Sequence, residues 1–178
     1  MAVFRDQIDG SGTGIDRIET GLGTDTVIAG SGGNYIDVGA GNDSVRAIGG
    51  SNWIRGGIGN DVLVGGTGND FLDGESGNDL LVGGLGADLL EGGLGSDILF
   101  DGTVELNDPA TDSLEKVLAS FVPTRRSSLV AISRRLTVTS DTASVDTLTG
   151  GAWTDWFWSA DGLDVLDILP REFKNAIS

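Results

Sequence analysis

Along residues 11–100 the aliphatic side chains recur every nine positions, which is the period of neither a helix nor a strand. The chain divides there, without a gap, into ten blocks: SGTGIDRIE, TGLGTDTVI, AGSGGNYID, VGAGNDSVR, AIGGSNWIR, GGIGNDVLV, GGTGNDFLD, GESGNDLLV, GGLGADLLE and GGLGSDILF. The eighth position is always aliphatic: Ile18, Val27, Ile36, Val45, Ile54, Leu63, Leu72, Leu81, Leu90 and Leu99. The last three residues of a block, with the aliphatic one in the middle, suffice for a very short strand whose central side chain points inward. The first six must form the turn, since the fourth is Gly in all ten blocks and Gly adopts positive φ cheaply. A single block buries one side chain and is not stable alone, so the pattern requires stacking. Two blocks reverse the chain twice. This predicts one coil per 18 residues, coils about 4.8 Å apart and a thin core shared by two facing sheets.

The register fails at Asp101–Val104. A helix is predicted next, with Asp112 as N-cap and Glu115 three residues on, then Leu114, Val117, Leu118 and Phe121 at helical spacing and Pro123 as the stop. A second helix is predicted from Ser127 or Ser128 to Leu136, with Leu129, Ile132 and Leu136 on one side. Nine-residue phasing returns in DTASVDTLT, GGAWTDWFW and SADGLDVLD, which place Asp146, Asp155 and Asp164 at the sixth position and Leu148, Phe157 and Leu166 at the eighth. The expected organisation is an N-terminal edge over 1–10, the ten-block roll over 11–100, a helical insertion over 101–140, a degenerate terminal coil over 141–169 and a tail over 170–178. If the terminal coil stacks on the roll, Asp155 lies over Asp97. Trp156 and Trp158 flank Phe157, and either pack on the helix or present an aromatic surface to a glycan.

Composition narrows the chemistry. The chain has 178 residues, 30 Gly, 27 Asp and Glu against 11 Lys and Arg, and a net charge of −16. That acidity argues against nucleic acid as a partner. With no His and no Cys there is no imidazole base, thiol nucleophile or disulfide framework. No apolar run is long enough for a membrane-spanning helix, and the N-terminal residues lack the apolar region of a secretory signal. Residues 1–101 hold 26 of the Gly and a net charge of −12. Gly-rich acidic sequence ordinarily reads as disordered, but disorder has no reason to hold ten consecutive registers.

The sixth position explains the charge. It is Asp or Asn in every block: Asp16, Asp25, Asn34, Asp43, Asn52, Asp61, Asp70, Asp79, Asp88 and Asp97. Stacked turns set these at strand spacing along two edges, where bare carboxylates repel. A hard cation removes the objection. Calcium accepts six to eight oxygen ligands in flexible geometry, whereas magnesium demands a strict octahedron and no soft ligand is present for zinc or copper.

The blocks resemble the repeats-in-toxin (RTX), or hemolysin-type calcium-binding, nonapeptide G-G-x-G-x-D-x-U-x, where U is aliphatic. The resemblance implies an all-β fold, a right-handed parallel β-roll with two nonapeptides per coil. Around it the chain adds a small helical insertion and a degenerate C-terminal capping coil. It also implies calcium between turns of adjacent coils, held by the sixth-position Asp and by backbone carbonyls of the Gly-rich half. One edge offers Asp25, Asp43, Asp61, Asp79 and Asp97. The other offers Asp70 and Asp88, beside Asp16, Asn34 and Asn52. The carbonyls assigned with them are those of Gly21, Gly23, Gly39, Gly41, Gly57, Gly59, Gly66, Gly68, Gly84 and Gly86. Asp16 and Asp155 are further candidates. Asn34 and Asn52 favour an ion-free ladder of stacked amides, because an amide is a weaker, uncharged ligand.

Five Asp–Asp pairs predict about five calcium ions, which would bring the net charge to about −6. The resemblance further implies a bacterial protein secreted by the type I route, folding on external calcium. A second reading is an adhesin or carbohydrate-binding surface protein with a surface glycan as partner, and exporter machinery is a further candidate partner. A third is the non-catalytic end of a secreted protease, lipase or epimerase. Catalysis by the chain itself is not expected, since H-E-x-x-H, G-x-S-x-G and the phosphate-loop pattern are missing. Arg125, Arg126, Arg134 and Arg135 form the one basic cluster and read as solvated charge or as a site for an anionic partner such as lipopolysaccharide.

Overall fold

The structure, a computed structural model, describes residues 7–10, 12–107, 113–120, 136–139, 145–152, 155–158, 165–167 and 173–174. The first strands are β1 (Gln7–Gly10), β2 (Arg17–Glu19), β3 (Thr26–Ala29), β4 (Tyr35–Asp37), β5 (Ser44–Ala47) and β6 (Trp53–Ile58). Then come β7 (Val62–Thr67), β8 (Phe71–Ser76), β9 (Leu80–Leu85), β10 (Leu89–Leu94), β11 (Ile98–Phe100) and β12 (Thr103–Leu106). One helix, α1 (Leu114–Ala119), precedes β13 (Leu136–Thr139), β14 (Thr147–Ala152), β15 (Trp156–Trp158), β16 (Val165–Asp167) and β17 (Phe173–Lys174).

Strands β1, β3, β5, β7, β9, β11, β15 and β17 form one sheet, the odd sheet. The even sheet runs β16, β14, β10, β8, β6, β4, β2. Every pairing within both is parallel. The 18-residue coil is therefore the observed repeat. Val27 pairs with Val45, Val45 with Leu63 and Leu63 with Leu81, while Ile18, Ile36, Ile54 and Leu72 line up in the even sheet. The eighth-position side chains are buried between the sheets as one continuous row, joined by Ala29, Val38 and Ala47 from first positions. Full burial of each aliphatic side chain stabilises by about 1.5–3 kcal/mol. The β-solenoid is thus as the nonapeptide register predicts, with very little helix.

The degenerate blocks stack directly on the roll. Leu148 pairs with Leu90 and Phe157 with Leu99, and both lie in the same core. The insertion between them folds back over the outer face of the odd sheet. There Val62, Leu80, Val82, Ile98 and Phe100 meet Val117, Leu118 and Leu136 in a second apolar cluster, with Val104, Leu106, Leu114 and Val138 packed against it. Trp156 and Trp158 belong to this cluster and are each 5% exposed, so neither ring is available to a glycan. Trp153 and the four-arginine cluster lie outside the described residues.

Two helix expectations change. The N-cap of α1 is Ser113, whose side chain accepts from the Lys116 N–H at 3.3 Å, in place of Asp112, which lies outside the described residues. The second predicted helix reached Leu136, but Leu136 opens strand β13, which pairs antiparallel with β12. Residues 121–135 are outside the described set. Alternation of Leu136 and Val138 against Val104 and Leu106 places four apolar side chains towards the second cluster, and that tertiary gain overrides local helical spacing.

Outside the even sheet, stacking in register brings Tyr35, Trp53 and Phe71 side by side. Ring centroids are 4.6 Å apart for Tyr35 and Trp53 and 5.6 Å apart for Trp53 and Phe71. The Arg17 guanidinium closes the stack 4.2 Å from the Tyr35 centroid.

Candidate metal centre

The sixth-position residue ends each turn and starts each strand, so coil stacking draws these residues into two files. The odd-sheet file is Asp25, Asp43, Asp61, Asp79, Asp97 and Asp155, and the even-sheet file is Asp16, Asn34, Asn52, Asp70, Asp88 and Asp146. In both, the backbone N–H of one member donates to Oδ1 of the next. The distances are 2.7 Å for Asp25 to Asp43, and 2.8 Å for Asp43 to Asp61, Asp61 to Asp79, Asp79 to Asp97 and Asp70 to Asp88. All members but Asp16 are buried.

The second carboxylate oxygen is the revealing one. Oδ2 of Asp43, Asp61, Asp70, Asp79 and Asp97 is buried without a hydrogen-bond partner. Asn52 shows what surrounds this position. Its Oδ1 accepts from the Asn34 N–H at 2.9 Å, which fixes the amide's orientation. Its Nδ2 then faces four acceptors: the carbonyls of Gly49 (3.4 Å), Gly50 (2.9 Å) and Gly65 (3.2 Å), and Asp70 Oδ1 (3.0 Å). Asn34 does likewise, donating from Nδ2 to Gly32 O at 2.7 Å and to Asn52 Oδ1 at 3.1 Å. The amide ladder expected at Asn34 and Asn52 is therefore present. Where these turns hold a donor, each Asp turn holds another oxygen. An oxygen aimed among oxygens calls for a proton, a donating water or a cation, and a cation alone also offsets the negative charge that repeats along the file.

The turns also leave room for one. A Cβ added to Gly74 would stand 2.5 Å from Asp79 Oδ2 and 2.6 Å from the Gly92 carbonyl oxygen. At Gly65 the same point lies 2.5 Å from Asp70 Oδ2 and 2.7 Å from Gly83 O, and at Gly56 it lies 2.6 Å from Asp61 Oδ2 and 3.1 Å from Gly74 O. First-position Gly thus keeps open a gap onto which a carboxylate and a carbonyl of the next coil converge. The first position is Thr20 beside Asp25 and Val38 beside Asp43, so the gap is not kept by Gly there.

Among the carbonyls assigned from the sequence, those of Gly21 and Gly39 accept ladder bonds from Ala40 N (2.7 Å) and Ile58 N (2.8 Å). Gly57, Gly59, Gly66, Gly68, Gly84 and Gly86 hold positive φ, as do Gly21, Gly23 and Gly39. The fourth-position carbonyl faces the sixth side chain at Gly32 and Gly50, which matches the placement of Gly23, Gly41, Gly59, Gly68 and Gly86. The first-position carbonyls of Gly74, Gly83 and Gly92 were not singled out by the sequence reading, although first-position Gly stands in every block from residue 56 to 100. Asp16 is partly exposed and donates its N–H to Asn34 Oδ1 at 2.9 Å. Asp155 Oδ1 accepts from the Asp97 N–H at 2.9 Å, which sets it over Asp97.

The electrostatics agree with the geometry. Burial pushes Asp43 and Asp70 up to about 6, Asp61 to about 7, Asp97 to about 8 and Asp79 to about 9. The N–H donated from the preceding coil opposes this at each, and neighbouring carboxylates push further at Asp43, Asp61, Asp79 and Asp97. Among the described residues no three acidic side chains converge on one point. The donor set is one or two carboxylates plus backbone carbonyls. It is all hard oxygen, which fits calcium. Among those residues no helix is long and apolar enough to cross a membrane.

A family model, that of the RTX calcium-binding nonapeptide repeat (4 copies), matches residues 10–45, 47–81 and 73–100. Comparison with curated proteins finds no match, and comparison with solved structures finds none.

Proposed function

The chain belongs to the RTX calcium-binding nonapeptide repeat family, and on that premise we propose that its paired sixth-position carboxylates hold calcium and make its folding calcium-dependent. The observation that carries this is the contrast between Asn52, whose Nδ2 is surrounded by four oxygens, and the turns of Asp43, Asp61, Asp70, Asp79 and Asp97, which set a buried, unpartnered Oδ2 in the same place. The pairs Asp61/Asp79, Asp70/Asp88 and Asp79/Asp97 carry the full set, with first-position Gly opening the gap. Asp25/Asp43 and Asp43/Asp61 share the carboxylate register and complete the five. Bound calcium supplies the positive charge that lets these carboxylates stay ionised in a dry turn. Asp61 serves two neighbouring pairs, so Asp61→Asn removes one charge from each. Calcium-titration calorimetry on that variant is expected to show fewer ions bound, and unchanged stoichiometry and affinity would overturn the assignment.

The biological role this supports is a scaffold that folds outside a bacterial cell on meeting calcium, after type I export in an unfolded state. Its acidity keeps the chain soluble until then. The module is structural and non-catalytic. A glycan-binding role loses Trp156 and Trp158 as its platform, since both are buried.

A further inference from the structure

Forty residues, 101–140, interrupt the roll, yet stacking resumes across them. Leu90 pairs with Leu148 and Leu99 with Phe157, at a separation of 58 residues where other neighbours are separated by 18. The carboxylate files continue as well. The Asp88 N–H donates to Asp146 Oδ1 at 2.6 Å and the Asp97 N–H to Asp155 Oδ1 at 2.9 Å, with none of the four residues more than 4% exposed. The family match ends at residue 100, short of both partners.

The gap beside each carboxylate is kept too. A Cβ on Gly83 would stand 2.5 Å from Asp88 Oδ2 and 3.1 Å from the carbonyl oxygen of Asp101. In the uninterrupted repeats that carbonyl belongs to the first residue of the next coil. Here it belongs to the first residue of the insertion. Beside Asp97, Gly92 leaves the same point open 2.5 Å from Oδ2, a buried oxygen without a hydrogen-bond partner, and a Cβ on Gly150 would stand against Asp155 Oδ2.

Resting on the calcium reading of the roll, we infer that Asp88 with Asp146, and Asp97 with Asp155, form two further calcium sites that clamp the base of the insertion. The first site joins three stretches of chain: a repeat through Asp88, the point where the chain leaves the roll through the Asp101 carbonyl, and the point where it returns through Asp146. Pairing of β12 with β13 ties the two arms just above the clamp. Beyond it, Val104, Leu106, Val117, Leu118 and Leu136 cover the outer face of the odd sheet, and Trp156 and Trp158 pack in the same cluster from the strand that follows Asp155. Calcium at the clamp therefore controls docking of the terminal coil and of the apolar cover together. Without it, two pairs of buried carboxylates face each other and the cover loses its fixed base.

The test uses the full chain with Asp146→Asn and Asp155→Asn together, at pH 8, with and without millimolar calcium. Bound calcium is counted by equilibrium dialysis, and amide hydrogen exchange is followed in residues 103–106, 136–139 and 156–158. The expected result is two ions fewer than in the native sequence, with loss of an at least tenfold calcium-induced slowing in those three segments. Residues 62–67 and 80–85 keep theirs. Asp61→Asn, run in parallel, loses ions from the roll but keeps calcium protection of the cover. A native ion count in the double variant, or native protection of the cover, overturns the clamp and leaves the calcium reading of the roll standing. No calcium bound by the native chain overturns both. Should the double variant lose protection everywhere, Asp155→Asn alone decides: one ion fewer supports the clamp, and a full count overturns it.

Discussion

Removing calcium makes the stability of this chain fall steeply as pH rises from 6 to 9, and the size of that fall is set by single buried carboxylates. Asp79 is wholly buried and pushed up from 3.8 to about 9. Burial is the main cause, with Asp97, Asp61 and Asp73 adding repulsion after the opposing Asp61 N–H. A folded-state value above the unfolded one contributes stability that is fully present below pH 4 and is lost as pH rises through the folded value. At 1.36 kcal/mol per pH unit the loss for Asp79 alone is about 7 kcal/mol over the whole span from pH 4 to 9, of which about 4 kcal/mol falls between pH 6 and 9, against the 5–15 kcal/mol that a domain has in total. Asp61, pushed to about 7, contributes about 4 kcal/mol by the same conversion. The sign is diagnostic because the chain has no His and no Cys. Apart from the α-amino group, the buried Asp are the groups that titrate in this window. Urea unfolding of calcium-stripped protein at pH 5, 7 and 9, followed by circular dichroism, should show the midpoint dropping at each step. With saturating calcium the midpoint should hold, and calcium affinity should rise over the same range because calcium binds the ionised form. Apo stability that rises between pH 6 and 9, or affinity indifferent to pH, would show that these carboxyls do not ionise at a cost to the fold.

Other expectations follow from particular contacts. Gly74→Ala places a methyl 2.5 Å from Asp79 Oδ2 and 2.6 Å from Gly92 O, and should cost at least one calcium ion in a calorimetric titration; an unchanged count contradicts the gap. Asn52→Asp replaces a donor facing four oxygens by a further oxygen. It should lower apo stability by about 3 kcal/mol in urea unfolding at pH 6, below the range in which the calcium-free chain loses its stability, and a neutral effect would speak against the ladder. Trp158→Ala empties a site in the second apolar cluster and should cost about 3–5 kcal/mol in calcium, whereas a surface ring would cost under 1 kcal/mol. Trp53→Ala breaks the ring stack outside the even sheet and should cost about 1–2 kcal/mol with no change in the calcium count.

The roll was legible because one constraint repeats. An inward aliphatic at every ninth residue and a turn Gly four residues before it admit one stacking register, and the pairing of Val27 with Val45 follows directly. The same register placed Asp146 and Asp155 at sixth positions despite missing Gly, so the terminal coil was readable from phase alone. The insertion was not. Its strands β12 and β13 lie about thirty residues apart, and nothing local to Leu136 says that it pairs with Leu106. Helical spacing put Leu136 at a helix end, and its pairing with Leu106 of a distant strand outweighed that local signal at Leu136. Within the site, carboxylate pairs were visible as letters. The role of first-position Gly was not, because it lies in the absence of a Cβ beside another residue's Oδ2. Fifth-position Asn was also missed: Asn42, Asn60 and Asn78 accept N–H bonds from the next coil at 2.8–2.9 Å, a second ladder beside the acidic one.

We propose that the carboxylate files hold calcium and that folding depends on it. Calorimetric titration of the chelated full chain with calcium at pH 8, with circular dichroism on the same samples, tests this most directly. Several ions should bind per chain, at least the five of the uninterrupted repeats, with a β-rich spectrum appearing as they bind. A spectrum already β-rich in chelator at pH 8 and unmoved by millimolar calcium would contradict it.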